Sequence, residues 1–139
     1  EGRGTDDPFT LVGASWLTDA GAIAAELNAM KLPGVRFDST ARTIEPGYKF
    51  GGLTIPMIKV HVTERNAVRA PEAGLRMLRA IYARHTKDWQ WRVRSIDRLA
   101  GTDEARAAVE QGTVDALVKK WDAEAKAFEA KRKPYLLYK

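Results

Sequence analysis

The sequence predicts an α+β fold, with a small mixed β-sheet packed against about four helices in a single domain. Apolar residues recur at helical spacing in the segments that follow Pro71 and Thr113. At Ile58, Val60 and Val62 they alternate with polar residues, which is typical of a half-buried strand. No internal repeat, low-complexity stretch or linker interrupts the 139 residues, so one domain is expected.

The N-terminal third predicts a loop followed by a helix. Residues 1–16 contain glycine and proline and have no clear period, so we expect a loop or an extended arm there. Thr18 or Asp19 can cap a helix that continues to about Met30. The Leu-Pro-Gly sequence at 32–34 then stops this helix.

The middle of the chain carries the strand signals. Residues 35–43 predict a weak strand, 48–52 predict a turn, and a stronger strand begins at Ile58. Trp89 and Trp91 alternate with polar residues, so that a short strand or extended segment is expected there as well.

Three helices are expected in the C-terminal half. Pro71 suits the first turn of one helix, Thr102 caps a short helix that Gly112 ends, and Thr113 caps the longest helix, which Pro134 closes. A continuous apolar stripe predicts the buried face of this last helix: Val114, Leu117, Val118, Trp121, Ala125 and Phe128.

Composition and charge exclude several classes of function. The chain has no cysteine, which excludes disulfides, cysteine-ligated metals and cysteine nucleophiles. Its formal net charge is +5, and the excess lies in the second half, with 15 basic and 10 acidic residues after residue 69. A basic surface attracts polyanions, so a binding module for nucleic acid or an anionic polymer is one hypothesis. A solvated charged face is the simpler interpretation.

Several enzyme classes lack their motifs. No nucleophile elbow, phosphate loop or dinucleotide fingerprint is present, and we expect no cofactor. His61 and Glu64 resemble a metal-ligand pair, but a separation of three on a strand sends the side chains to opposite faces, so no metal site is predicted. His85 lies on the apolar stripe of its helix and is expected at the edge of the core.

The first five residues carry the most distinctive signal. In Glu1-Gly2-Arg3-Gly4-Thr5, glycine on both sides of an arginine permits close approach or positive φ and presents the guanidinium to a carboxylate or phosphate. A tight turn at a domain edge explains the same pattern equally well. Because the chain begins with Glu1 and has no leader-like segment, we expect a processed product or a piece of a longer protein.

At this point the motifs resemble a known family, the bacterial peptidoglycan exo-β-N-acetylmuramidases, long classed as a family of unknown function. The matching segments span nearly the whole chain in the family's order: EGRGT at 1–5, PF at 8–9, GASW at 13–16, LPGVRF at 32–37, YKFGG at 48–52, VHVTER at 60–65, SIDRLAG at 95–101 and PYLLY at 134–138. Single segments are weakly specific, but their order and spacing together are specific.

The resemblance implies a role and a missing partner. Family enzymes pair a larger N-terminal Rossmann-like domain with a smaller C-terminal domain, and their active site lies in the cleft between the two. Residues 1–139 resemble the C-terminal domain alone, so this fragment is expected to be inactive by itself. The implied activity is removal of N-acetylmuramic acid from the non-reducing end of peptidoglycan fragments, by a bacterial enzyme that is exported to the periplasm, to the medium or as a lipoprotein.

The resemblance also implies site residues. Arg3 would position the lactyl carboxylate of N-acetylmuramic acid with help from Thr5, and Glu1 is the local candidate for a catalytic or orienting carboxylate. Tyr48, Glu64 and Arg65 lie in further matching motifs and are expected to bind substrate. At Glu64 the family usually has aspartate, whose carboxylate is one methylene closer to the backbone.

Overall fold

The structure is a computed structural model that describes residues 1–138; Lys139, the last residue of the predicted domain, lies outside the described residues. Within 1–138 it contains three strands, five α-helices and one short 3-10 helix. In chain order they are β1 (Leu11–Gly13), α1 (Ala20–Ala29), β2 (Val35–Thr43), β3 (Thr54–Val62), α2 (Ala70–Arg84), α3 (Val93–Ala100), α4 (Glu104–Gln111), α5 (Val114–Arg132) and the 3-10 helix Lys133–Tyr135. The predicted α+β class is confirmed.

The sheet has the strand order β1-β3-β2, and both pairings are antiparallel. The predicted mixed sheet is therefore wrong in this respect. β2 and β3 are consecutive and joined by the loop 44–53, which is long enough for a hairpin but too short for the crossover that a parallel pair needs. β1 then pairs with the other edge of β3, where Leu11 lies opposite Lys59.

The chain divides into two compact units, Glu1–Gln90 and a second that begins at Trp91. The first unit contains the sheet with α1 and α2, and the second contains α3, α4 and α5. No helix in the described part of the chain is long and apolar enough to cross a membrane.

Both faces of the sheet are covered. On one face Phe37 and Ile58 pack into a buried cluster with residues of α1 and α2, among them Ile23, Leu27 and Ile81. The other face carries a smaller buried cluster: Leu11, Ile44, Ile55 and Met57. Because successive side chains of a strand alternate between faces, Lys59 of β3 lies on this second face with Met57. The N-terminal loop covers this face, as described below.

Two predicted elements differ in the structure. Of the two alternatives around Trp89 and Trp91, the strand is wrong: residues 89–92 belong to no strand or helix, Trp89 packs edge-on against Tyr82 and Trp16, and α3 begins at Val93. Alternation of apolar and polar residues over only five positions cannot distinguish a strand from a short irregular segment that precedes a helix. Residues 1–16 are a loop as predicted, except that Leu11–Gly13 form β1.

The buried stripe of α5 is shorter than predicted. Val114, Leu117 and Val118 are buried, but Phe128 is 61% exposed. Trp121 is half-buried and Ala125 is exposed, so the buried face of α5 ends within its first half; an apolar period alone does not show how much of a helix is covered.

Gly34 is the glycine at which a substitution should cost the most fold stability. Its φ is +66°, and an added Cβ would lie 2.7 Å from the backbone nitrogen of Val68 and against the carbonyl oxygen of Glu64. Gly34→Ala should lower the free energy of unfolding by about 2 kcal/mol or more, because left-handed strain and a backbone clash add.

The control is Gly74→Ala in α2, where an added Cβ meets nothing within 4 Å. This change should raise the free energy of unfolding by about 0.5–1 kcal/mol, since alanine favours a helix interior. Urea denaturation of both variants measures the two effects. An unchanged midpoint for Gly34→Ala would contradict the packing described here.

Candidate functional site

The N-terminal loop, residues 1–10, closes on itself on the sheet face opposite α1 and α2. The Phe9 amide donates a hydrogen bond to the carbonyl oxygen of Glu1 at 2.8 Å. The Thr5 hydroxyl donates to the carbonyl of Gly2 at 2.6 Å and accepts from the Asp7 amide at 3.2 Å. Main-chain and hydroxyl hydrogen bonds therefore hold the loop in one shape.

Glycine is required on both sides of Arg3. Gly2 and Gly4 are buried with φ near +72° and +76°, whereas Arg3 is exposed. An added Cβ on Gly2 would lie 2.8 Å from the carbonyl oxygen of Asp7, and one on Gly4 would lie 2.8 Å from the Tyr48 ring. The two glycines place the backbone against the protein, so the arginine side chain projects outward. The sequence suggests either a tight turn or an arginine presented to an anion. In the structure one tight turn, formed by the two glycines, also exposes the Arg3 side chain.

The Arg3 guanidinium lies between a carboxylate and an aromatic ring. Its Nε is 3.1 Å from a carboxylate oxygen of Glu1, and both side chains are more than 60% exposed. Its Cζ lies 5.8 Å from the centre of the Phe9 ring. A surface ion pair of this kind contributes only ~0–1 kcal/mol, so a ligand carboxylate can replace Glu1 at little cost.

Asp7 fastens the loop to the sheet. Its carboxylate accepts hydrogen bonds from Lys59 Nζ at 2.7 Å and from Arg42 Nη2 at 3.1 Å. The hydrogen bond from Lys59 and then that from Arg42 hold the pKa of Asp7 below its usual value. The sequence does not indicate the role of Asp7, since its partners lie 35 and 52 positions away and no local pattern marks them.

The lowered pKa of Asp7 predicts an acid-dependent contribution to stability. A carboxyl with a lowered folded-state pKa stabilises the fold above its ordinary pKa, near 3.8, and loses this contribution as pH falls through the folded-state value. Asp7→Asn should therefore be less stable than the parent chain at pH 6, and the difference should shrink towards pH 2. Thermal unfolding of both chains across this range is the measurement; a difference independent of pH would contradict the assignment.

Tyr48 borders the same loop. It lies in the β2–β3 connection, where the Glu45 amide donates to the carbonyl of Gly4 at 2.9 Å and the Tyr48 ring covers Gly4. The phenol side chain is about half exposed. The structure therefore brings together four of the predicted site residues: Glu1, Arg3, Thr5 and Tyr48. The Thr5 hydroxyl, however, is used inside the loop.

Glu64 and Arg65 lie elsewhere. They are exposed in the turn that follows β3, where the amides of Thr63 and Glu64 donate to the carbonyl of Gly34. The nine residues of β3, about 30 Å in length, separate this turn from the loop that carries Tyr48. These two residues are not part of the cluster around Tyr48.

The two histidines have structural partners. His85 Nε2 lies 2.6 Å from Asp19 Oδ1 and its ring packs on Trp16, so it lies at the edge of the core as expected. Burial is the largest single influence on Asp19 and acts to raise its pKa, but the interactions with His85, a backbone hydrogen bond and the charge of Arg84 together hold the pKa below its usual value. His61 Nε2 lies 3.0 Å from Asp38. Among residues 1–138, no three histidine or acidic side chains form a group that could hold a metal ion.

Comparison with known proteins gives three matches. The family model described as "Exo-beta-N-acetylmuramidase NamZ, C-terminal" matches residues 1–138. The peptidoglycan beta-N-acetylmuramidase NamZ of Bacillus subtilis is 32% identical over 141 residues, which cover 99% of this chain and 33% of that protein. The crystal structure of a DUF1343 family protein from Bacteroides fragilis superposes with a TM-score of 0.83 at 22% identity, over 98% of this chain and 37% of that one.

These matches concern fold and family. The high TM-score supports the same fold, whereas 22% identity says nothing about shared chemistry. The chain spans about a third of the length of the curated relative that it matches.

Proposed function

This chain belongs to the family of C-terminal domains of the exo-beta-N-acetylmuramidase NamZ, and on this premise we propose that it forms one wall of the substrate cleft of a peptidoglycan exo-β-N-acetylmuramidase. The proposed reaction is hydrolysis of the glycosidic bond that joins a non-reducing-end N-acetylmuramic acid to a cell-wall fragment. The observation that carries the proposal is the outward presentation of Arg3 by two buried glycines.

Arg3 fits the chemical group that distinguishes this sugar. N-acetylmuramic acid differs from N-acetylglucosamine by a lactyl ether that ends in a carboxylate. A guanidinium binds a carboxylate through two parallel N–H···O hydrogen bonds, which give geometric specificity as well as energy. The N-terminal loop is fixed by Asp7, so the guanidinium is positioned before the substrate arrives.

Glu1 and Tyr48 complete the proposed subsite. Glycoside hydrolysis generally uses two carboxyl groups on either side of the scissile bond. Glu1 supplies one carboxylate beside Arg3, as a catalytic or orienting group, and Tyr48 lines the surface next to Gly4. Thr5 acts by holding the loop closed rather than by contacting the sugar. Glu64 and Arg65 lie in the turn after β3, at the opposite end of this strand from Tyr48, and are proposed to contact the substrate away from Tyr48.

The second carboxyl group is proposed to come from an N-terminal domain of the same polypeptide. The chain corresponds to about a third of its Bacillus relative, which leaves room in such a protein for a larger domain. We propose that this domain is Rossmann-like and carries most of the catalytic machinery. We further propose export of the enzyme, since peptidoglycan lies outside the cytoplasmic membrane.

The test is an assay on the full-length polypeptide that carries this chain. It should release N-acetylmuramic acid from the non-reducing end of purified peptidoglycan fragments, and the 139-residue chain alone should not. A full-length protein that releases no muramic acid would contradict the proposal. Salt-sensitive binding to DNA or an anionic polymer would support the alternative of a basic binding module, which no observation on this structure favours.

A further inference from the structure

We propose that Phe9 and Arg3 form a paired subsite for a carboxylate-bearing pyranose, in which the guanidinium binds the carboxylate and the Phe9 ring stacks on the apolar face of the sugar ring. This inference rests on the proposed function and adds a specificity residue to it. It depends on the backbone conformation of Phe9, on the exposure of its ring and on its neighbour Arg3, a guanidinium paired with Glu1; the exposed Phe50 shares the first two features but has a lysine beside its ring.

Phe9 is held in a conformation that phenylalanine disfavours. Its φ is +66°, in the left-handed region where a Cβ crowds the backbone and where glycine or asparagine is the usual residue. Nevertheless its amide donates the hydrogen bond that closes the loop on Glu1. A bulky residue in such a position is strained, and strained residues concentrate at sites that bind ligands.

Folding does not explain the aromatic ring. Phe9 is 74% exposed, so its side chain adds little to the core. The loop is fastened by Asp7 and lined inside by Gly2 and Leu11, none of which requires an aromatic neighbour on the outside. The ring lies beside the Arg3 guanidinium, whose Cζ is 5.8 Å from the ring centre.

Phe9 and Arg3 together are complementary to a sugar that has both an apolar ring face and a carboxylate. A pyranose presents axial C–H groups on one face, and an exposed aromatic ring covers such an apolar surface. The charged end of the pair lies 5.8 Å from the ring centre, so a carboxylate and a sugar ring joined by a short ether can reach both. Neither a plain anion nor a neutral sugar would use both partners.

The test uses Phe9→Gly, a change that the backbone tolerates. Glycine relieves the left-handed strain and keeps the loop's main chain, so the unfolding midpoint should stay near that of the parent chain. The matched control is Phe50→Gly. Phe50 also has a positive φ, +71°, is 54% exposed and has a cation, Lys49, above its ring.

The measurement is a two-dimensional amide NMR titration of the 139-residue chain with N-acetylmuramic acid and, separately, with D-lactate. The free sugar should shift the amides of residues 2–7 and of Phe9. Phe9→Gly should weaken its binding roughly three- to tenfold and leave binding of D-lactate unchanged, whereas Phe50→Gly should change neither.

Three other results of this titration are possible, and each would show a different part of the proposal to be wrong. If Phe9→Gly binds the sugar as the parent chain does, the Phe9 subsite is wrong and the proposed function stands. If Phe9→Gly weakens D-lactate equally, Phe9 merely positions Arg3 and the stacking role is wrong. If N-acetylmuramic acid shifts no amide of the loop in the parent chain, both the subsite and the assignment of Arg3 fall.

Discussion

Arg3→Ala is expected to raise the KM of the full-length enzyme for a muramyl substrate by roughly ten- to a hundredfold, the cost of losing a charge-assisted, bidentate hydrogen bond. Because Arg3 is exposed and its ion pair with Glu1 is weak, the fold should lose little stability. Arg3→Lys keeps the charge but not the planar fork, so it should recover only part of the loss.

Arg36→Ala is the matched control for this prediction. Arg36, like Arg3, is an exposed arginine paired with a carboxylate two residues away, in this case Asp38. Its removal costs the same charge and a similar ion pair but leaves the N-terminal loop intact. Steady-state kinetics of the three variants on peptidoglycan fragments provide the comparison. Equal KM values for Arg3→Ala and Arg36→Ala would show that Arg3 has no special role.

Gly4→Ala is expected to reduce kcat/KM by about a hundredfold, the cost of displacing a positioned group by about 1 Å. The new Cβ would lie 2.8–2.9 Å from the Tyr48 ring and 3.1 Å from Ile44, so Tyr48 or the loop must move. The left-handed φ of +76° adds about 1–2 kcal/mol of strain. Both effects act on the segment that presents Arg3.

Gly52→Ala separates strain from displacement. Gly52 has a φ of +80° in the loop that carries Tyr48, and an added Cβ there meets nothing within 4 Å. It should lose only the free energy of unfolding that the strain costs, about 1–2 kcal/mol, and keep most of its activity. Thermal melts and kcat/KM, measured on both variants, test the pair. If Gly52→Ala lost as much activity as Gly4→Ala, backbone strain rather than the Tyr48 contact would be the cause.

The helices and strands whose apolar pattern continues over many residues were predictable from the sequence. α2 and α5 follow from apolar residues at helical spacing, and β3 from strict alternation at Ile58, Val60 and Val62. β1 was missed because three residues are too few to show a period, and it exists because Leu11 pairs with the edge of β3. α3 was missed because two tryptophans at alternate positions imitate a strand.

The sequence predicts those features of the candidate site that depend on neighbouring residues alone. The glycines on both sides of Arg3 act on their own backbone, so their sequence indicates the outward arginine that the structure contains. The role of Asp7 depends on Lys59, which is 52 positions away, and this partnership exists only after β1 and β3 pair. The separation of Tyr48 from Glu64 likewise follows from the length of β3, which the sequence predicted only from Ile58 onward.

The most direct measurement of the central claim, that Arg3 binds the lactyl carboxylate, compares two substrates on two enzymes. One substrate is a muramyl fragment and the other is the same fragment with its lactyl carboxylate converted to the amide; each is assayed with the full-length enzyme and with Arg3→Ala. We predict that the parent enzyme prefers the carboxylate by at least about tenfold in kcat/KM and that Arg3→Ala loses this preference. A preference that survives unchanged in Arg3→Ala would show that Arg3 does not bind this carboxylate.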